Sequence, residues 1–545
     1  MIAQDQDEPT KKVETHLRQR NTEALRREAT QEVNGTAYLE EDIMRGMTVE
    51  SIRERMREVQ HEMERVNDSM NDMVSEVMQR LEAAGLGKAN KHFDSSESSL
   101  NKRSSKLPDK VFVRRNSLLN DLFKIKHFQT IYNIFLVILI ILFTNIAVYD
   151  IMHTGSTNLG LATIRRGFGK FSTALFISFL MTLASFMVYI GFSLWAHHRV
   201  GLSPKSHVLK IWDYGAVASM ILFQVVFIIL PLKAIFVEDL PEVSSIIVLM
   251  EQVRLLMKNH AFVRGNVPRV LAYKLHSEKS EELCPGFSKF LYFMFAPTLI
   301  YRDNYPRTKE IKWRSVVWYA MEVIMIVFYV AFIFERFLVP AFQEFGIKPL
   351  ERRTVILSIL GNMMPGILVL MCGFYLLLHS WMNGAAELLR FGDRMFYSDW
   401  WNSTSYGGFY RSWNIVVYDW LYTYIYKDMY ENVTAQNKVI SSATVFAVSA
   451  IFHEYILAFG FRFFYPALMV SFGLISFLFV LLTKKQRNTA GNIFIWLTLC
   501  VGAGCLLSGY SLEYYARVNC PPYEDPILDL FIPRSLICNG FSTAP

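Results

Sequence analysis

The chain has 545 residues, 52% of them hydrophobic and 14% aromatic, with a formal net charge of +7. That apolar content exceeds what a soluble domain of this size buries, and it falls in long runs, so the chain reads as an all-α polytopic membrane protein. The positive balance lies in loops beside those runs, with no basic domain of the kind that grips nucleic acid, and the six cysteines include no CxxC pair.

Residues 1 to about 130 are hydrophilic. Within them Ile52, Met56, Val59, Met63, Val66, Met70, Met73 and Val77 recur at alternating steps of four and three, a heptad seam. The seam predicts a coiled-coil oligomerisation helix at about 50–81, making a dimer or tetramer; a lone amphipathic helix on the membrane surface is the alternative. Ser95 to Ser105 is a Ser- and Lys-rich linker, and Lys110 to Phe123 (KVFVRRNSLLNDLF) is an amphipathic lead-in to the membrane.

A span needs about 20 apolar residues. Eight runs qualify: Ile131–Val148, Ser172–Trp195, Gly215–Val237, Ser315–Phe334, Val355–Trp381, Val439–Phe459, Arg462–Leu482 and Gly491–Tyr510. Val243–Met257, interrupted by Glu251 and Arg254, and Phe287–Ile300, broken by Pro297, are ambiguous. Loop charge arbitrates. With Arg114, Arg115, Lys124 and Lys126 keeping the N-terminus cytosolic, the basic loops at 197–210, 258–279 and 301–314 share its side only if the run at Val243 crosses and the run at Phe287 lies in the interface. Nine spans follow, and the C-terminal tail ends in the lumen. An odd count places Cys520 and Cys538 in an oxidising compartment, where a disulfide persists. Four sequons, at Asn34, Asn67, Asn402 and Asn432, fall on the cytosolic side and are expected to stay unmodified. The organisation is a segment 1–109, a membrane domain 110–510 and a tail 511–545.

Two stretches carry chemistry. Residues 385–438 are aromatic and laced with charge, unsuited to hydrocarbon, and fit helices lying at the interface and roofing an entrance. Next comes VSAIFHEY (Val448 to Tyr455), which places His453 inside a span, where an ionisable group is a functional-site hypothesis; a packing histidine bonded to a backbone carbonyl is the bland alternative. HEYIL is not a zinc motif, because Leu457 stands where HExxH needs its second histidine.

FYSDWWN (Phe396, Tyr397, Ser398, Asp399, Trp400, Trp401, Asn402), YRSWNIVVYDWLY (Tyr410 to Tyr422) and VSAIFHEY together resemble the membrane-bound O-acyltransferase superfamily, and within it the sterol O-acyltransferases. NVPRVL (Asn266 to Leu271), APTLIYRDNYPR (Ala296 to Arg307), the run Met382 to Tyr397 and the Cys520 to Cys538 tail extend the likeness. Departures occur at Tyr418, where the family has His, at Gly407-Gly408, where it has Ser-Asn, and at Gly265, where it has Glu.

The resemblance implies transfer of a long-chain acyl group from acyl-CoA to a sterol 3-hydroxyl in the endoplasmic reticulum membrane, with acyl-CoA as co-substrate and neither cofactor nor metal. His453 is then the general base, since imidazole is neutral and basic near pH 7. Ser449 is on its helical face, where its hydroxyl can meet the ring, and Asn414 offers an amide donor to the thioester carbonyl. Tyr410, Trp413, Tyr418, Tyr422 and Tyr426 offer aromatic and phenolic contacts to acyl-CoA, and Arg411 and Lys438 face its phosphates. The bland readings are a helix cap for Asn414, snorkelling anchors for Arg411 and Lys438, helix packing for Ser449 and a structural role for FYSDWWN. Another lipid alcohol such as diacylglycerol is the alternative acceptor, and a transporter with a His453–Glu454 relay the alternative class.

Overall fold

The computed structural model describes residues 107–155, 160–273, 282–347, 352–536 and 538. The expected coiled coil at about 50–81, the Ser-rich linker and the sequons at Asn34 and Asn67 lie outside the described residues.

Among the described residues all regular structure is helical, apart from isolated bridges between Arg115 and Asp393 and between Arg307 and Phe391. In chain order run α1 (Lys126–Thr154), α2 (Phe171–Val200), α3 (His207–Val237), α4 (Glu242–Ala272), the short α5 (Phe287–Phe295), α6 (Trp313–Phe342), α7 (Met363–Leu388), the short α8 (Tyr406–Trp413), α9 (residues 415–433), α10 (Lys438–Phe461), α11 (Met469–Leu482) and α12 (Thr489–Asn519). Seven of these, α1, α2, α3, α6, α7, α10 and α12, are long and apolar enough to cross a membrane, and they carry seven of the nine expected spans. The protein is a multi-pass membrane protein.

The two remaining expected spans fall on α4 and α11. Helix α4 has 31 residues, about 46 Å at 1.5 Å per residue, but is too polar to face lipid. Its Gln252, Lys258, Asn259 and Asn266 are instead buried inside the protein. Lys258 Nζ bonds the carbonyls of Phe293 and Ala296 at 2.5 and 2.7 Å, and Asn259 Nδ2 bonds Ser185 Oγ at 3.1 Å. Protein groups thus take the place that water would have around a polar helix. Helix α11 starts at Met469 rather than at Arg462, because Arg462 ends α10 in the left-handed region at φ 62° and Pro466 follows. It spans about 21 Å, less than a hydrocarbon core of about 30 Å.

Two other boundaries move, and the run at Phe287 is short, as expected. The expected span from Val355 begins at Met363, since Asn362 separates α7 from a helix at Arg352–Gly361. The run at Phe287 forms the nine-residue α5, too short to cross, with Phe290, Phe293 and Met294 buried. Helix α12 continues past the expected span end at Tyr510 to Asn519, with Cys520 directly after it. There Cys520 and Cys538 form the expected disulfide.

An extended strap, residues 107–117, crosses the segment 385–433. Lys110 pairs with Asp419 at 2.6 Å, Arg115 with Asp393 at 2.6 Å, and Lys427 with Asp109 at 2.7 Å. Burial pushes the Asp419 carboxyl up, and the Lys110 ammonium opposes that shift. The strap therefore fastens α9, the element that bears much of the candidate site.

Candidate active site

Helix α10 starts on Asn437, whose side chain accepts from the N–H groups of Val439 and Ile440. Lys438 is exposed at that first turn, and His453 lies 15 residues on, about 22 Å down the helix. His453 Nδ1 is 2.7 Å from the Ser449 carbonyl. A carbonyl only accepts, so Nδ1 bears a proton, and in the neutral ring Nε2 carries the lone pair. Ser449 thus meets the ring through its backbone oxygen rather than through the hydroxyl the sequence suggests. Glu454 points elsewhere: it is buried, accepts the Met469 N–H at 3.0 Å, and lies 3.1 Å from the Tyr510 hydroxyl. A His453–Glu454 relay has no support in that arrangement.

The His453 ring lies against Phe472 of α11, centroids 5.1 Å apart, and Tyr410 of α8 lies against the same ring at 5.4 Å. Phe446 of α10 closes the group, 5.1 Å from Tyr410 and 5.8 Å from Phe472. Three segments distant in sequence therefore meet on one phenylalanine. Asn414 follows Tyr410 by four residues, at the break between α8 and α9, with φ −135° and ψ 85°. Its Oδ1 accepts the Val417 N–H at 3.2 Å, so it does cap α9. The cap uses only the oxygen. Its Nδ2 makes no hydrogen bond among the described residues and remains a donor for a ligand oxygen.

FYSDWWN builds this break. Ile415 N–H donates to the Phe396 carbonyl at 2.9 Å and Ser398 N–H to the Ser412 carbonyl at 2.8 Å, clamping the chain on both sides of Asn414. Phe396, Tyr397 and Trp400 are buried, while Asp399 and Asn402 are exposed. Trp400 packs on Trp413 at 4.7 Å and Phe374 at 5.1 Å, and the Trp401 carbonyl accepts from Asn492 Nδ2 at 2.8 Å. The Tyr397 hydroxyl joins Ser117 Oγ of the strap (2.8 Å) to His379 Nδ1 of α7 (2.6 Å). In this fold the motif packs around the break at Asn414.

Along α9, Tyr418, Tyr422, Tyr426 and Tyr430 stack one turn apart, with centroids 6.2, 5.6 and 5.8 Å apart and ring planes within 20° of parallel. Burial pushes the Tyr418 phenol up and nearby Arg411 opposes it, so this hydroxyl stays protonated and is able to donate rather than to act as a base. Arg411 is exposed beside this row. The departures at Gly265 and Gly407 leave room: a Cβ would meet nothing nearer than 3.7 and 3.9 Å, so neither glycine is demanded by packing. The ring-sharing Phe472 and the strap's ion pairs carry no sequence signal of their own, since each depends on contacts across distant segments, whereas Tyr430 continues the four-residue spacing of Tyr418, Tyr422 and Tyr426 and is readable from it.

The family model described as MBOAT, membrane-bound O-acyltransferase family, matches residues 161–512. The chain is 40% identical over 432 residues to sterol O-acyltransferase 1 of Mus musculus, covering 79% of each. It is 38% identical over 441 residues to sterol O-acyltransferase 2 of Rattus norvegicus, covering 79% of this chain and 81% of that one. The chain belongs to the membrane-bound O-acyltransferase family, in its sterol O-acyltransferase branch. The matched region contains both catalytic candidates of this acyltransferase, Asn414 and His453, together with the whole of the tyrosine row.

Proposed function

We propose that the enzyme transfers a long-chain fatty acyl group from acyl-CoA to the 3-hydroxyl of a sterol, with His453 as general base. The sterol oxygen attacks the thioester carbonyl as its proton passes to Nε2; the C–S bond then breaks and the imidazolium returns the proton to the CoA sulfur. Asn414 Nδ2 donates to the carbonyl oxygen as charge develops, a contribution of about 10²–10³-fold in comparable sites. The tyrosine row receives the CoA moiety, and Arg411 and Lys438 face its phosphates. The observation that carries the reading is the Nδ1 contact to the Ser449 carbonyl, which in the neutral ring puts the lone pair on Nε2. The tight likeness to sterol O-acyltransferases from several mammals supports the choice of acceptor.

On the loop-charge reading the strap and tyrosine row face the cytosol, where acyl-CoA is available, and the disulfide tail faces the lumen of the endoplasmic reticulum. The heptad seam makes the enzyme a homo-oligomer; deleting residues 41–85 lowers its mass in detergent, and an unchanged mass contradicts that. Microsomes carrying the chain, given labelled oleoyl-CoA with cholesterol or with diacylglycerol, test the acceptor. Sterol ester is the expected product; preferential triacylglycerol formation contradicts it.

A further inference from the structure

A proline in α3 leaves a carbonyl open, and one buried side chain closes it. Pro231 sits inside α3 and has no N–H to give the carbonyl of Phe227, four residues earlier. Gln252 of α4, fully buried, supplies the donor: its Nε2 is 2.9 Å from the Phe227 carbonyl and 3.1 Å from that of Ile228. Its Oε1 accepts from the Tyr455 hydroxyl at 2.6 Å. Tyr455 belongs to α10, two residues beyond His453. One carboxamide therefore ties the histidine helix to a proline-opened carbonyl, in a region where lipid offers no replacement partner.

Further along the same interface α10 comes close to α4 at Gly460, where a Cβ would fall 2.6 Å from Ile246 Cγ1. Helix α4 also holds the other half of the site: Trp420 of α9 donates its Nε1–H to the Met257 carbonyl at 2.9 Å. The two halves are thus referred to one helix, α9 through a backbone carbonyl and α10 through the Gln252 side chain.

We propose that Gln252 is a positioning residue for acyl transfer, setting through Tyr455 the rotation and depth of α10, and so where His453 Nε2 stands relative to Asn414. The proposal rests on reading His453 as the base. Misplacing reacting groups by about 1 Å costs on the order of 100-fold in rate. Because α9 is anchored by a backbone oxygen that no substitution at Gln252 removes, the acyl-CoA KM stays put while kcat falls.

The test uses the full chain in microsomes with labelled oleoyl-CoA and cholesterol, rates being normalised to folded, monodisperse enzyme recovered in detergent. Tyr455→Phe is expected to lower kcat about tenfold and Gln252→Met about 10- to 100-fold, each with the acyl-CoA KM within about twofold of wild type. The double variant leaves no unpaired phenol, so its thermal midpoint recovers towards wild type while kcat stays low. Wild-type kcat in either single variant, parallel changes in kcat and KM, or recovery of kcat in the double variant overturns the proposal. His453→Ala, run alongside, separates the two readings: an inactive His453→Ala beside unaffected Gln252 and Tyr455 variants overturns the positioning role alone, and an active one overturns both.

Discussion

The carbonyl oxygen of Ser449 lies 2.7 Å from His453 Nδ1, one helical turn away, and this contact fixes which ring nitrogen is free. His153 and His197 make the same contact with the carbonyls of Tyr149 and Ser193, so the tautomer is a common property of helical histidines with this side-chain direction. What distinguishes His453 is its setting. Its ring shares Phe472 with Tyr410, four residues before a carboxamide whose nitrogen is unspent.

Asn414 has two functions carried by two different atoms, and a substitution can separate them. Asn414→Asp keeps an oxygen to cap α9 and loses the donor; Asn414→Ala loses both. The aspartate variant should retain the wild-type thermal midpoint and lose about 10²-fold in kcat. The alanine variant should lose as much activity and also about 1 kcal/mol of stability. Steady-state rates paired with thermal scans of detergent-solubilised enzyme check both, and a fully active aspartate variant would show that the nitrogen does nothing.

The tyrosine row should govern acyl-CoA affinity more than turnover. Tyr422→Ala and Tyr426→Ala each remove one stacked ring from a column that runs from Tyr418 to Tyr430. An aromatic pair is worth about 0.5–1.5 kcal/mol, so the acyl-CoA KM should rise roughly 2- to 12-fold with kcat little changed. Phenylalanine at either position should restore most of the affinity. Saturation curves in oleoyl-CoA measure this directly.

Much of this site was legible in the sequence because its signals are local. An ionisable side chain inside an apolar run marks His453, and charge among aromatic residues marks the segment that carries Asn414 and the tyrosines. The apolar runs likewise marked seven spans, whereas α4 crossed the threshold only through loop charge, since Gln252, Lys258 and Asn259 make it too polar for hydropathy to find. What stayed hidden depends on tertiary partners. Nothing in FYSDWWN says that Tyr397 faces Ser117 and His379 rather than substrate, nor does any local pattern reveal that Pro231 needs Gln252. The break at Asn362 lies inside an apolar run that hydropathy reads as continuous, although Gly361 and Pro365 beside it are the local signals that mark it.

The tail beyond α12 should be acid-labile. Arg534 bonds both carboxylate oxygens of Asp529, through Nε at 2.7 Å and Nη2 at 2.6 Å, and together with the Tyr523 N–H holds that carboxyl below its ordinary value. A depressed folded-state pKa gives stability that is complete above the unfolded value of about 3.9 and is lost as pH falls through the folded one. Comparing thermal midpoints of wild type and Asp529→Asn should show a constant gap from neutral pH down to about pH 5, closing below about pH 4. A gap unchanged at about pH 3 would mean that the pair does not stabilise the tail.

The base assignment is tested most directly by sterol ester formation in microsomes carrying His453→Ala at matched amounts of folded enzyme, with labelled oleoyl-CoA and cholesterol. Loss of a positioned general base predicts a fall of about 10²–10⁴-fold in kcat with acyl-CoA binding retained. Ester formation at the wild-type rate would contradict the account.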